Sequence, residues 1–492
     1  MKANNSNVES NDQWKSDLDC LFNPKSIALI GASDTAVNSQ NFYHCLKAVG
    51  YTGKLFPVNP KRKELFGMTC YANVRDIPEP VDAVVITIAA HFVPQAMQDC
   101  LEKGIKAGII NTSGFAEISA EGKKYQEQIA EIAHKGQMRI VGPNTYGIAN
   151  IHDKVAAISG SDVRYVTSGK LALIIQSGGL LNFMQLAAWD RGWGISYLVS
   201  CGNQAVLHIE DYLEYLVKNE RTDTIGILAE EITDVRKFSK NAELAAKLGK
   251  PIVILKVGKS EKGKKGAFAH TGSYPGSDKA FNTVFRKAGI TRVHSLDDFI
   301  ETIELFSKRK VFKGTRMGLL LPSGGECGYA ADIAAEEDIM LPDLSIKSVE
   351  RISPVQSPRL TVSNPLNVPE NYIRNGEVFK ECLHAFVEDE NFDIVGIRLQ
   401  LPRLRESQEV VARFIDVVEA SKKTDKFLLL LSRGSVSLPD FWRKLLTAHQ
   451  IPFLWDYKRG FKAISALMAY YRFHEKYKAD PKTDKNTTAG TK

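Results

Sequence analysis

The sequence predicts an α/β protein whose parallel sheets are covered by helices, arranged in about three domains at roughly 150 residues each. Three observations carry this. Short β-branched runs alternate with longer amphipathic segments along the chain. Of the 492 residues, 44% are apolar, which offers enough buried surface to offset the entropy of ordering most of the chain. The pattern strand, Ser-Gly-Gly turn, helix also occurs twice, as LALIIQSGGLLNFMQLAA from Leu171 and MGLLLPSGGECGYAADIAA from Met317.

Taken in order, the first strands are expected at Ser26 to Ile30, Leu55 to Val58, Ala83 to Ile88, Ala107 to Ile110 and Arg139 to Val141, a Rossmann-like unit within residues 16–150. A second set, within 151–310, begins at Leu171 to Ile175 and continues at Ile195 to Val199, Ile225 to Ala229 and Ile252 to Lys256. A third, within 311–478, comprises Met317 to Leu321, Ile394 to Leu399 and Phe427 to Leu431. Residues 1–15 and the tail 479–492 are polar and aperiodic, and are expected to be flexible ends.

Composition excludes several function classes. Lys and Arg number 64 against 57 Asp and Glu, a net charge of +7 that is mild for this length. No basic run is interleaved with aromatics, so no nucleic-acid groove is expected, whereas anionic small molecules fit. The N-terminus MKANNSNVESNDQWKSD lacks the apolar core of a signal peptide, and no stretch approaches the ~20 apolar residues of a membrane span. A cytoplasmic protein without membrane partners is the expectation. The seven cysteines (Cys20, Cys45, Cys70, Cys100, Cys201, Cys327, Cys382) are far apart with no C-x-x-C pair. Neither a disulfide framework nor a metal site is expected.

The strand SIALI runs into Gly31-Ala32-Ser33, a small-residue turn opening a helix whose N-terminal N–H groups and dipole favour a phosphate. The G-x-G-x-x-G fingerprint is absent, and the second strand ends in Asn59 rather than the acid that holds a nicotinamide ribose, which argues against a dehydrogenase. Lys61 and Arg62 follow Asn59 at the carboxyl end of the sheet, and Ser113-Gly114 and Gly142-Pro143-Asn144 end the fourth and fifth strands on the same rim. Open α/β sheets bind ligands at that rim.

Ser177-Gly178-Gly179 offers a second helix N-terminus stripped of side-chain bulk, suited to a phosphoryl group. The most informative stretch is KVGKSEKGKKGAFAHTGSYPGSD, residues 256–278. Five lysines there (Lys256, Lys259, Lys262, Lys264, Lys265) attract polyanions such as nucleotides, and His270 follows in a glycine-flanked loop. A neutral imidazole attacks phosphorus when its other nitrogen is held by a carboxylate. Glu230, at the end of the strand Ile225 to Ala229, is the candidate; Glu231 is adjacent, and periodicity does not decide which of the two faces inward.

These motifs in order resemble the α part of the NDP-forming acyl-CoA synthetases, the ADP-forming acetyl-CoA synthetase family, related to the succinyl-CoA synthetase α subunit. The matches are SIALIGAS, LFPVNPK, NTSGFAE, RIVGPNTYG, IIQSGGL, SCGNQA, EEITDVRKF and AHTGSYPGSD, with SGGECG, NPLNV and IPFLWDYKRGFKAISALMAY further on. They run from about Leu21 to Tyr477. The resemblance implies a Rossmann-like CoA-binding domain followed by two flavodoxin-like domains. It implies that His270 is transiently phosphorylated, that Glu230 is its carboxylate partner, and that Ser177, Gly178 and Gly179 hold the phosphoryl group. Gly31, Ala32, Ser33, Asn59, Lys61, Ser113, Gly114 and Asn144 are the matching positions for CoA.

The implied reaction joins a carboxylic acid to CoA, with ATP or GTP cleaved to the diphosphate and phosphate through an acyl phosphate. The family's ATP-grasp module has no counterpart segment here. A separate ATP-grasp β subunit, bringing the nucleotide and Mg, and a hetero-oligomer are therefore expected. Val206 and His208 stand where the family commonly has acids, and Asn367 replaces the Asp of NPLD, so the resemblance leaves the acid unnamed. A non-catalytic CoA-binding scaffold of the same fold is the alternative.

Overall fold

The computed structural model describes residues 13–159, 163, 166–271, 278–309, 314–369, 372–402, 407–434 and 438–479, with the side chains of 13, 267–271 and 478–479 outside the description. The expected flexible ends fall almost wholly outside it. The chain divides into two compact units. The first comprises residues up to Trp189 together with Gly194–Arg292, and the second comprises Asp190–Trp193 together with the chain from Val293 on.

The first unit holds two sheets. One has five parallel strands in the spatial order Lys54–Val58, Ser26–Ile30, Ala83–Ile86, Ala107–Ile110, Arg139–Val141. Ser26–Ile30 is buried at every position, as a strand covered on both faces must be. Its neighbours both follow it in sequence, so the chain leaves it in opposite directions and a crevice opens at its carboxyl end.

The other sheet has seven strands, in the order Thr291–Val293, Ile252–Lys256, Thr224–Ala229, Thr167–Ile175, Gly194–Ser200, Gly147–Asn150, Val155–Ile158. Its central strands are parallel, and the last two add an antiparallel edge hairpin that the sequence analysis did not anticipate. The crevice of this sheet lies at the end of Thr167–Ile175, flanked by Gly194–Ser200 and Thr224–Ala229.

The second unit carries a five-stranded sheet, Leu366–Asn367, Met317–Leu321, Ile394–Ile397, Phe427–Leu431, Phe453–Leu454, again all parallel. Its strand order repeats that of the first sheet. A buried ionic network holds Asp190–Trp193 in this unit. Arg191 Nη1 donates to Glu301 Oε2 at 2.5 Å, Trp193 Nε1 to Glu304 Oε2 at 2.7 Å, and Lys308 Nζ to Glu304 Oε1 at 2.8 Å. Trp455 packs its ring 3.8 Å from the Arg191 guanidinium, and its backbone N–H donates to Glu301 Oε1 at 2.7 Å. Among the described residues no helix is long and apolar enough to cross a membrane.

Candidate active site

At the rim of the first sheet, Gly31 has φ +88°, and a Cβ there would lie 2.8 Å from Thr87 Oγ1 and Ile88 Cγ2. Only glycine fits this approach of two turns. The backbone N–H groups of Gly31 and Ala32 point into the sheet, both donating to Val58 O at 3.0 and 3.3 Å. They are not the open anion donors that the small-residue turn suggested. What faces outward instead is Ser33, whose hydroxyl accepts the N–H groups of Thr35 and Ala36 at 3.1 Å, capping the approach to helix Val37–Ala48. The Thr35 hydroxyl lies 3.1 Å from it.

Asn59 ties the neighbouring turns together, donating to Ala32 O at 2.8 Å and accepting the Lys61 N–H at 2.9 Å. The Lys61 side chain is exposed at the mouth. Ser113 is also exposed, but the N–H of Gly114 is taken by Glu117 Oε1 at 2.6 Å, with Phe115 N–H on the same oxygen at 3.2 Å. Asn144, at φ +55°, turns toward the second sheet and donates to Asn203 Oδ1 at 3.2 Å. Asn203 in turn donates to Glu117 Oε2 at 2.5 Å. The CoA candidates thus form one rim, with Asn144 on its far side linked through Asn203 and Glu117.

The crevice of the second sheet gathers Gln176, Ser177, Cys201 and Glu230. Helix Gly178–Arg191 starts immediately after Ser177, and its first turn is free of bulk: a Cβ at Gly179 would meet nothing within 4 Å, whereas at Gly178 it would strike the Tyr146 ring. Glu230 is 7% exposed. The N–H groups of Glu230 and Glu231 both donate to Gln176 Oε1, at 2.8 and 2.9 Å. The carbonyl of Glu230 accepts Lys256 Nζ at 2.5 Å. Burial pushes the Cys201 thiol well above its usual range, and the carboxylates of Glu210 and Glu230 push it further. Glu210 is itself buried with its carboxyl raised by desolvation. Gln176 Nε2, Gln204 Nε2, Glu210 Oε2 and Tyr212 Oη are buried here without a partner, a polar interior behind Glu230 that is unusual for a core.

The sequence suggested a loop at His270; the structure carries helix Glu261–Thr271 through it, placing the histidine at that helix's penultimate position. Its side chain lies outside the described residues, as does the following segment 272–277. Lys256 also departs from expectation. Read beside four other lysines as a solution-facing cation, it is 2% exposed and sits under the Phe281 ring at 5.3 Å. It ends a strand buried at every position, and its Nζ turns to the carbonyls of Glu230 and Val257.

In the second unit, the repeated Ser323 turn starts helix Gly324–Glu336. Buried Glu326 in its first turn accepts Arg433 Nε and Nη2 at 3.0 and 2.8 Å and Tyr457 Oη at 2.5 Å, with Arg398 Nε 3.3 Å away. Asn367 ends the adjoining strand, and its carbonyl accepts Gln356 Nε2 at 2.8 Å.

Residues 25–151 match the CoA binding domain family, and 168–306 the succinyl-CoA ligase like flavodoxin domain. The acetate–CoA ligase (ADP-forming) II subunit alpha of Pyrococcus furiosus is 33% identical over 442 residues, 88% of this chain and 94% of its own length. The chain belongs to the ADP-forming acyl-CoA synthetase family. The subunit alpha of the enzyme I of the same organism is also 33% identical, over 94% of this chain and 99% of its own length. The acetate–CoA ligase (ADP-forming) II of Archaeoglobus fulgidus is 35% identical over 77% of this chain, but the match spans 56% of that protein. The chain therefore spans about half the length of such longer relatives. Among solved structures, the dinucleotide forming acetyl-coenzyme A synthetase 1 of Ca. Korarchaeum cryptofilum, in complex with phosphate and ADP, matches with a TM-score of 0.83 at 27% identity, covering 94% of this chain and 99% of that one.

For this member of the ADP-forming acyl-CoA synthetase family, sequence reasoning missed Gln176 and Glu117, both of which hold backbone N–H groups at predicted site positions. An amide beside a Ser-Gly-Gly turn carries no signal of its own. For Lys256 a signal existed: in IVILK the lysine falls on the same strand face as Ile252 and Ile254.

Proposed function

We propose that this chain acts as the α subunit of an acyl-CoA synthetase that forms ADP or GDP, working with a separate ATP-grasp subunit that brings the nucleotide and Mg. CoA binds at the rim of the first sheet, where the Gly31 cradle leaves no room for a side chain and Lys61, Ser33 and Thr35 face outward. In the forward direction ATP phosphorylates His270, the phosphoryl group passes to a carboxylate oxygen of the acid to give an acyl phosphate, and the CoA thiol displaces phosphate to give the thioester. Every step is reversible.

The observation that carries this is the pairing of a buried carboxylate, Glu230, with an unencumbered helix N-terminus at Ser177–Gly179 in one crevice. The carboxylate orients and charges an imidazole, and the helix dipole receives the phosphoryl oxygens. That the chain is coextensive with proteins named as α subunits supports the division of labour. The names of these relatives, all ligases, do not favour the non-catalytic scaffold.

The test is incubation of the chain and its partner subunit with labelled ATP and magnesium. Label is expected on His270 and is expected to be lost in His270→Asn; an unlabelled wild-type protein that turns over rejects the mechanism.

A further inference from the structure

Glu230 is held by its backbone, from both sides, by buried polar side chains of the two strands that flank its own. From one side Gln176, following Thr167–Ile175, accepts the N–H groups of Glu230 and Glu231 on a single oxygen. From the other side Lys256, the last residue of Ile252–Lys256, donates its Nζ to the carbonyl of Glu230 at 2.5 Å and to that of Val257 at 2.8 Å. Strand Thr224–Ala229 lies between these two in the sheet. Where a parallel ladder runs out, the peptide groups of the next residue lose their strand partners. Here side chains replace them on both edges of one residue, the predicted partner of the phosphorylated histidine.

We propose that Gln176 and Lys256 are positioning residues of the phosphoryl-transfer site, a two-sided clamp that fixes the Glu230 main chain and thereby aims its carboxylate. This rests on the Glu230–His270 reading above.

Energetics supports a purpose beyond folding. A lysine 2% exposed under an aromatic ring is a costly way to satisfy two carbonyls. The groups facing its ammonium are Asp278 and Arg292 from the elements packed over it, and Glu230 and Glu231 from the adjoining turn; Lys259 faces Asp278 in turn. Burial outweighs the acids, and the ammonium is brought down to about 8. A site that breaks the rule against burying charge does so where geometry matters to function. Above pH about 8 the ammonium becomes an amine, which donates more weakly to the Glu230 carbonyl, so the aim of Glu230 loosens.

The experiment uses the chain with its partner subunit and measures transfer of label from ATP to His270 across pH, alongside KM for ATP and CoA. Lys256→Met is expected to lower the transfer rate about 10²-fold, the cost of misplacing a reacting group by about an ångström, with both KM values unchanged. Lys256→Arg, whose guanidinium stays charged, is expected to restore transfer and to abolish the fall above pH about 8. Gln176→Met, which keeps the bulk and removes the acceptor, reproduces the Lys256→Met defect. Should Lys256→Met not fold, as judged by circular dichroism, Gln176→Met and the pH profile of Lys256→Arg still decide. Transfer rates within threefold of wild type in the Met variants, or an alkaline fall that persists unchanged in Lys256→Arg, overturn the clamp. An unlabelled wild type overturns instead the reading on which it rests.

Discussion

Glu117 Oε1 lies 2.6 Å from the nitrogen of Gly114, so a carboxylate of the protein itself occupies the backbone donor that ends the fourth strand of the first sheet. Its second oxygen accepts the Asn203 amide. Glu117→Ala strips an acceptor from Gly114, Phe115 and Asn203 together. We expect a loss of about 1–3 kcal/mol in urea unfolding, the cost of buried donors left unmade. An unchanged midpoint means that water replaces the carboxylate at no cost.

Glu230 and Glu231 are neighbours in sequence but not in environment: the first is buried and the second half-buried. Glu230→Gln is expected to slow labelling of His270 by roughly 10²–10⁴, the range for loss of a group that manages a proton. Glu231→Gln is expected to stay near wild type. Equal defects in rapid-quench labelling contradict the assignment of the inward role to Glu230.

Gly31→Ala places a Cβ 2.8 Å from Thr87 Oγ1 and Ile88 Cγ2 at a φ of +88°. The left-handed backbone alone costs about 1–2 kcal/mol, and the contact moves the turn against the Thr87 segment. Calorimetric titration with CoA is expected to show affinity lost out of proportion to the drop in Tm. Wild-type affinity places the CoA rim elsewhere.

Lys256 makes stability depend on pH in a defined direction. Its folded-state value of about 8 is below the ordinary 10.5, so between these values the unfolded chain binds more proton than the folded one. Stability therefore rises with pH across that window, by an amount on the order of 3 kcal/mol for a shift of this size. Below pH about 8 the ammonium is charged in both states and its full burial cost is present. Lys256→Met is expected to flatten this rise in denaturant titrations at pH 7.5 to 10.5; a slope identical to that of the wild type counts against a buried, depressed lysine.

In the second unit, Arg191 and Glu301 are 8% and 1% exposed and joined at 2.5 Å. Arg191→Met leaves Glu301 buried without its cation and is expected to cost about 3–5 kcal/mol. The double variant Arg191→Met, Glu301→Leu is expected to recover most of it, because two apolar groups need no partner. If the double variant is no better than the single one, the Trp455 backbone N–H on Glu301 is the dominant contact.

The strands legible in sequence were those buried on both faces. Ser26–Ile30, Ile252–Lys256, Met317–Leu321 and Phe427–Leu431 lie where their apolar runs predicted them, because a run flanked by turn residues has one reading when nothing polar interrupts it. Gly147–Asn150 and Val155–Ile158 escaped notice, since GIAN and VAAI are four residues each and owe their strand character to pairing, the first with Gly194–Ser200 and the second with the first. At the candidate site, residue types were legible and hydrogen-bond destinations were not. The turn Gly31-Ala32-Ser33 is in place, yet two of its N–H groups face Val58, a fact fixed by the neighbouring strand. Lys256 was misread because its companions in sequence are surface lysines, while its companions in space are a phenyl ring and two carbonyls.

The seclusion of Lys256 has a chemical corollary. A lysine whose ammonium dissociates near pH 8 is in part a free amine under physiological conditions, and free amines are nucleophiles toward mixed anhydrides and thioesters. A synthetase of the proposed kind makes both. Tucked beneath Phe281 with its nitrogen turned to two carbonyls, this amine is screened from such activated species, so burial that makes the lysine more nucleophilic also shields it from self-acylation.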